Sequence, residues 1–199
     1  HYNGSSWLDK PPLYFWLSGS LMKWFGPSEW TARAPAAFFG VLTVLLVFLI
    51  GKRLSGIRAG VLAALILATS PNFLLTARQG MIDTTVLAFM SLAVYAALHG
   101  RRGDAGWFVI IGPAIGLALL AKYLVAVLLF LIVLPIVLPK ARGSRGHFHA
   151  LLTGAVFGAV MALPWFVTQA IHNPAGFSHN FWAFNIQARI LSGMTGYDP

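Results

Sequence analysis

The charged residues of this 199-residue chain stand at nearly regular intervals, and the gaps between them are almost wholly apolar. Between Arg33 and Lys52 lie 18 uncharged residues, and between Arg58 and Arg78 lie 19. Asp83 to Arg101, Asp104 to Lys122 and Lys122 to Lys140 each enclose 17, and a last apolar stretch runs from about 150 to 171. A helix of about 20 apolar residues covers a hydrocarbon layer of roughly 30 Å. Lipid offers the backbone no hydrogen bonds, so runs of this kind satisfy their amides internally, as helices. The spacing therefore predicts an all-α, polytopic transmembrane bundle of about six helices over residues 30–171. A polar loop, 1–29, precedes it, and the start of a further loop, 172–199, follows. Over 105–139 two readings stay open. Lys122 is either a turn between two short helices or a charge inside one long, kinked element.

Composition agrees. Hydrophobic residues make up 58% of the chain and charged residues 10%, against about 25% charged in soluble domains. There is no cysteine, which excludes disulfide and thiolate chemistry within the chain. In a soluble protein the net charge of +9 would point to nucleic acid. Here the basic residues lie between apolar spans, and orientation in a membrane accounts for them, so no nucleic-acid partner is expected. The chain opens on His within a polar loop, with no signal-peptide pattern. The expectation is that a segment with a first membrane helix precedes it.

Six crossings divide the loops into two sets. One holds Lys52, Arg53, Arg58, Arg101, Arg102, Lys140, Arg142 and Arg145, concentrated in three short loops. Short basic loops are retained in the cytoplasm, so this set is assigned there. The opposite, extracytoplasmic side then receives Lys10, Lys23, Arg33, Arg78, Lys122 and Arg189, together with Asp9, Glu29, Asp83 and Asp198. Of the five acids, Asp104 alone falls on the cytoplasmic side. A pure anchoring bundle has no need of that collection.

Three places on the extracytoplasmic side could carry chemistry. In "LDKPPLYFWL" the prolines hold Asp9 and Lys10 in a stiff, extended stretch. Lys10 offers a point charge for phosphate and Asp9 a base or a metal ligand; a plain loop leading into a helix is the bland alternative. The following "LYFWLSGSLMKWF" reads as an amphipathic helix lying on the membrane surface. In "RQGMID", Pro71 bends or interrupts the approach, Arg78 is a cation at the boundary, and Asp83 either caps the next helix or faces a polar cleft. Lys122 and Arg189 complete the set, as partners of lipid headgroups or of a lipid-linked phosphate.

Other features point elsewhere. His147-Phe148-His149 reads as an interfacial anchor in a basic loop, and His172 and His179 lack the spacing of a metal site. The pairs Gly56/Gly60, Gly112/Gly116 and Gly154/Gly158 have the spacing of close helix packing. Asn3-Gly4-Ser5 matches a glycosylation pattern that is common by chance. No P-loop, dinucleotide fingerprint or zinc-protease motif occurs.

The blocks "LDKPPLYFWL", "SEWTARAPAAFFGVLTVLLVFLIGKRL", "ARQGMIDTTVLAF" and "GLALLAKYLVAVLLFLIVLP", taken in that order, resemble the bacterial branch of the protein mannosyltransferase superfamily. That branch includes the lipid A aminoarabinose transferases and has the C-type membrane glycosyltransferase fold. The resemblance implies an integral protein of the bacterial inner membrane. It would transfer a sugar from a polyprenyl phosphate carrier to a lipid, glycan or protein acceptor on the extracytoplasmic face. It matches Lys10 to a lysine that contacts the carrier phosphate, Asp9 to an acidic position implicated in metal or active-site contacts, and Asp83 to a carboxylate of the catalytic cavity. Arg78, Lys122 and Arg189 would add phosphate contacts. A divalent metal would fall to Asp9, although Asn185 stands about where relatives carry a histidine.

The implied mechanism is a single inverting displacement. A carboxylate, Asp83 or an acid upstream, takes the acceptor's proton, and Lys10 stabilises the departing phosphate. The rival function is transport or flipping of an anionic lipid. That function calls for polar groups near the midplane, whereas the charges here sit at the ends of the spans.

Overall fold

Among the described residues of this computed structural model, 10–174 and Phe177, seven helices follow one another. They are α1 (Leu13–Phe25), α2 (Glu29–Ser55), α3 (Ile57–Thr69), α4 (Pro71–Arg78), α5 (Asp83–Gly100), α6 (Gly106–Gly143) and α7 (Arg145–His172). No strand occurs among the described residues, as the all-α expectation requires.

Local chemistry sets the ends of these helices. Ser28 is extended, and its hydroxyl accepts from the Thr31 N–H at 3.2 Å. The Thr31 hydroxyl accepts from the Ser28 N–H at 3.0 Å, which completes a capping box. Two amides that no helical carbonyl can reach are thereby satisfied. Glu29 in the first turn of α2 and Lys52 and Arg53 in the last complement the helix dipole. Gly56, at φ +91°, lets the chain reverse into α3. There Gly60 lies so close to α2 that a Cβ would stand 2.6 Å from the Phe48 carbonyl oxygen. Of this glycine pair only Gly60 serves packing; Gly56 has open space around it and serves the turn. At Ser70 the backbone leaves the helical region, Pro71 starts α4, and the two helices meet at 64°.

The open question over 105–139 resolves at one residue. Lys122 has φ −157° and ψ 91°, which no helix accommodates, and it separates two helical halves, Gly106–Tyr123 and Val125–Gly143. Four helical segments are long and apolar enough to cross a membrane: α2, the two halves of α6, and α7. The bent pair α3–α4 makes a fifth if it counts as one span. The sixth apolar run, α5, has only 18 residues and opens on Asp83.

In packing, α6 contacts both α5 and α7, and α2 contacts α3 and α5. Small residues make the close approach possible. A Cβ on Gly112 would overlap the carbonyl of Gly154, and one on Gly158 would overlap that of Gly112. Ala93, Ala96 and Ala97 of α5 are fully buried against Phe108 and Ile111 of α6. Large side chains point outward instead, among them Leu62 and Ile66 of α3, Leu131 of α6 and Val160 of α7. Lipid solvates such a surface and water does not, so the molecule is an integral membrane protein.

His147 corrects the expectation of an interfacial anchor. It is buried in the first turn of α7, where Nε2 lies 3.1 Å from the Gly100 carbonyl oxygen and Nδ1 lies 3.0 Å from the Ser144 hydroxyl. Phe148 and His149 stay exposed. The sequence shows a polar pair around Phe148, whereas helical spacing turns only one of the two histidines inward.

Candidate functional site

At one end of the bundle a cavity of about 350 Å³ opens where five parts of the chain converge. Lys10 enters from the segment before α1, and Tyr14 and Phe15 come from the first turn of α1. Gly80, Met81 and Ile82 form the turn after α4; Asp83 opens α5, and Lys122 stands at the break in α6. A larger cavity of about 410 Å³ between the halves of α6 and α7 is lined by apolar residues such as Leu119, Val133 and Ala162 and offers no reactive group.

Lys122 Nζ donates to Asp83 Oδ1 at 2.6 Å, across 39 residues of sequence. The non-helical backbone at Lys122 lifts the side chain out of the apolar helix face and sends it to the mouth of α5. Asp83 is not the helix cap that one reading of the sequence expected: Ile82 holds the cap position, and no side chain caps α5. The carboxylate still benefits from the helix dipole, because it lies in the first turn. Both side chains are partly exposed, 29% for Lys122 and 51% for Asp83. An ion pair so open to solvent contributes about 0–1 kcal/mol to folding. Stability is a weak reason for placing a lysine there.

Tyr14, which the sequence did not single out, ties the site together. Its hydroxyl donates to the Ala32 carbonyl at 2.8 Å and so fastens α1 to α2. A Cβ on Gly80 would stand 3.2 Å from the same hydroxyl, and Gly80 has φ +72°, so the turn that delivers Asp83 closes over Tyr14 only with glycine there. Burial pushes the Tyr14 phenol above its ordinary value of 10.0, which keeps it a donor. The helix bearing Tyr14 shows two characters. Leu13, Tyr14 and Ser18 are buried, while Phe15, Trp16, Trp24 and Phe25 are exposed.

Of the residues expected at the site, the structure brings together Lys10, Asp83 and Lys122. Arg78 ends α4, is exposed, and does not line the cavity. Glu29 pairs with Arg33 at 3.5 Å on the surface of α2 and likewise does not line it. His172 is exposed at the end of α7, with Nδ1 3.0 Å from the Thr168 carbonyl oxygen. Asp9, Arg189, His179, Asn185 and Asp198 lie outside the described residues. Among the described residues no group of three His, Asp or Glu side chains could hold a metal ion. Among the described residues the cavity's carboxylate is Asp83, and it is bonded to an ammonium. These residues do not fit a divalent cation, and the metal role considered for Asp9 falls on an undescribed residue.

Known proteins are similar to this chain in sequence and in fold. The chain is 31% identical over 196 residues to the undecaprenyl phosphate-alpha-4-amino-4-deoxy-L-arabinose arabinosyl transferase of Edwardsiella ictaluri, covering 94% of this chain and 35% of the relative. The enzyme of the same name from Serratia proteamaculans is 25% identical, with the same two coverages. The chain thus spans about a third of the length of these curated relatives. Crystal structures of ArnT from Cupriavidus metallidurans superpose on it. The form bound to undecaprenyl phosphate gives a TM-score of 0.79 at 28% identity, over 94% of this chain and 36% of that one. The apo form gives 0.76 at 29% identity, over 92% and 35%. The model of the dolichyl-phosphate-mannose-protein mannosyltransferase family matches residues 9–167. That match takes in the Lys10 segment, the turn bearing Asp83 and the break at Lys122, and the chain belongs to this family.

Proposed function

We propose that the protein of which this chain is part transfers a sugar from a polyprenyl phosphate carrier to an acceptor on the extracytoplasmic side of the bacterial inner membrane. The carrying observation is the meeting of Lys10, Asp83 and Lys122 in one cavity at one end of a membrane bundle. The likeness to a structure bound to undecaprenyl phosphate supports the choice of carrier.

In this reading Lys10 contacts the carrier phosphate and stabilises the charge that grows on it as the sugar leaves. Arg189 and Arg78 are secondary cations for that phosphate. Asp83 takes the proton of the acceptor hydroxyl as it attacks the anomeric carbon from the face opposite the phosphate, inverting the configuration there. Lys122 holds the Asp83 carboxylate in place at the cavity until the acceptor arrives. An acid upstream of this chain is the alternative base, and Asp9 would then position Lys10. The phosphate leaves as a stable anion, so no nucleotide is required at the site. The short basic loops at the other end, with Arg101, Arg102, Arg142 and Arg145, face the cytoplasm.

The test is transfer by the full-length protein in vesicles holding a labelled undecaprenyl-phosphate sugar. Asp83→Asn should lower kcat by about 10²–10⁴. Lys10→Ala should weaken carrier binding by about tenfold or more, the worth of a charge-assisted contact. Near-normal turnover in both variants, with normal expression and folding, would remove these assignments. Movement of the labelled lipid between leaflets without covalent transfer would replace the reading with a flippase.

A further inference from the structure

A second polar cavity, of about 340 Å³, lies at the opposite end of the bundle, where Arg53 and Leu54 from the last turn of α2 meet Leu98 of α5 and Arg101 and Arg102 just beyond it. Three guanidinium groups therefore converge from two separate elements. Like charges so gathered repel one another unless something neutralises them. Among the described residues no carboxylate pairs with any of the three. Asp104, the nearest acid in sequence, accepts from the Gly106 N–H at 2.9 Å. Asp83 is bonded to Lys122 and Glu29 to Arg33.

Cations at the C-termini of α2 and α5 do answer the negative ends of those helix dipoles. That accounts for their charge but not for their hydrogen bonding. Arg53 Nε is buried without a hydrogen-bond partner among the described residues. A buried donor in that state costs free energy until an acceptor reaches it. Once the side chain turns toward the cavity, an anion with several oxygens would satisfy it, and a fork of guanidinium donors suits phosphate geometry. The apolar part of the cavity narrows the choice further. Leu54 is 59% exposed beside Arg53, and Leu98 also lines the cavity. A free phosphate would make no use of these leucines, whereas a phosphodiester carrying acyl chains would cover them.

We propose that the Arg53, Arg101 and Arg102 cavity binds a phosphate-bearing anion, and that its source is the headgroup of an anionic phospholipid whose first methylenes lie on Leu54 and Leu98. Such a lipid would join the end of α2 to the end of α5. Basic pockets between membrane helices recognise anionic headgroups in this way. The site is separate from the Lys10, Asp83 and Lys122 cavity and does not rest on the reaction proposed for it.

The full-length protein, purified in detergent, would be titrated with phosphatidylglycerol or phosphatidylcholine, and bound lipid counted by native mass spectrometry. Phosphatidylglycerol should bind with a preference that drops about tenfold in Arg53→Gln and further in Arg101→Gln/Arg102→Gln. Arg58→Gln makes the same charge change at a residue that does not line the cavity and should keep the preference. Arg53→Lys keeps the charge without the fork and should recover only part of the affinity. It also serves as the reporter if the glutamine variants fold poorly. Equal loss in Arg58→Gln and Arg53→Gln would overturn the proposal, because general surface charge would then suffice. Displacement of the lipid by inorganic phosphate at comparable concentration would overturn the lipid assignment in favour of a soluble anion.

Discussion

Lys122 stands where its flanking sequence least favours a charge, between two apolar halves of one long helix. It is tolerated because the backbone there abandons the helix and the ammonium reaches Asp83. A half-exposed pair contributes about 0–1 kcal/mol. Lys122→Met should therefore change the unfolding temperature in detergent little, while transfer by the full-length protein falls tenfold or more. Equal losses of stability and activity would assign the lysine to folding instead. Tyr14 permits a pH prediction. Its phenol is raised by burial, so its contribution to stability is complete below the ordinary value of 10.0 and declines as pH rises through the raised one. Tyr14→Phe should lose about 1 kcal/mol with the bond to Ala32. It should also flatten the fall in stability between neutral and strongly alkaline pH, as measured by unfolding at fixed detergent.

At the scale of elements, α6 and α7 meet through glycine backbones and not through interlocking large side chains. Gly158→Leu would force these helices apart, since even a Cβ overlaps the Gly112 carbonyl. Fluorescence-detected size exclusion should show loss of the monodisperse peak, whereas Gly143→Leu, at a position with open space, should keep it. The spacing of these glycines was legible in the sequence because a four-residue repeat marks one helix face. The same spacing at Gly56 misled, because a positive φ at a turn and a packing contact leave the same letter. The inward turn of His147 was illegible for a related reason. Its partner, the Gly100 carbonyl, lies 47 residues away and carries no side-chain signal.

For the whole molecule, the two ends carry different chemistry: a carboxylate with lysines at one, arginines at the other. The proposed orientation puts Glu29 outside the cell and Gly143 inside. The chain contains no cysteine, so single cysteines can report this once any others in the full-length protein are replaced. In intact cells a membrane-impermeant maleimide should label Glu29→Cys and spare Gly143→Cys until the membrane is opened. Labelling in the reverse order would invert the topology and place the Asp83 cavity in the cytoplasm.

The sequence by itself determined the class of fold, because the periodic charge gaps match the thickness of a bilayer and lipid demands helices there. It also collected Lys10, Asp83 and Lys122 on one side by counting crossings, a parity argument that needs no contacts. Tertiary structure decided which of these residues meet. It paired Asp83 with Lys122, added Tyr14 and Gly80, left Arg78 off the cavity wall, and exposed the separate arginine cluster. Hydropathy places a residue by depth in the membrane, and only the packing of helices around their small residues sets which depth-matched residues share a cavity.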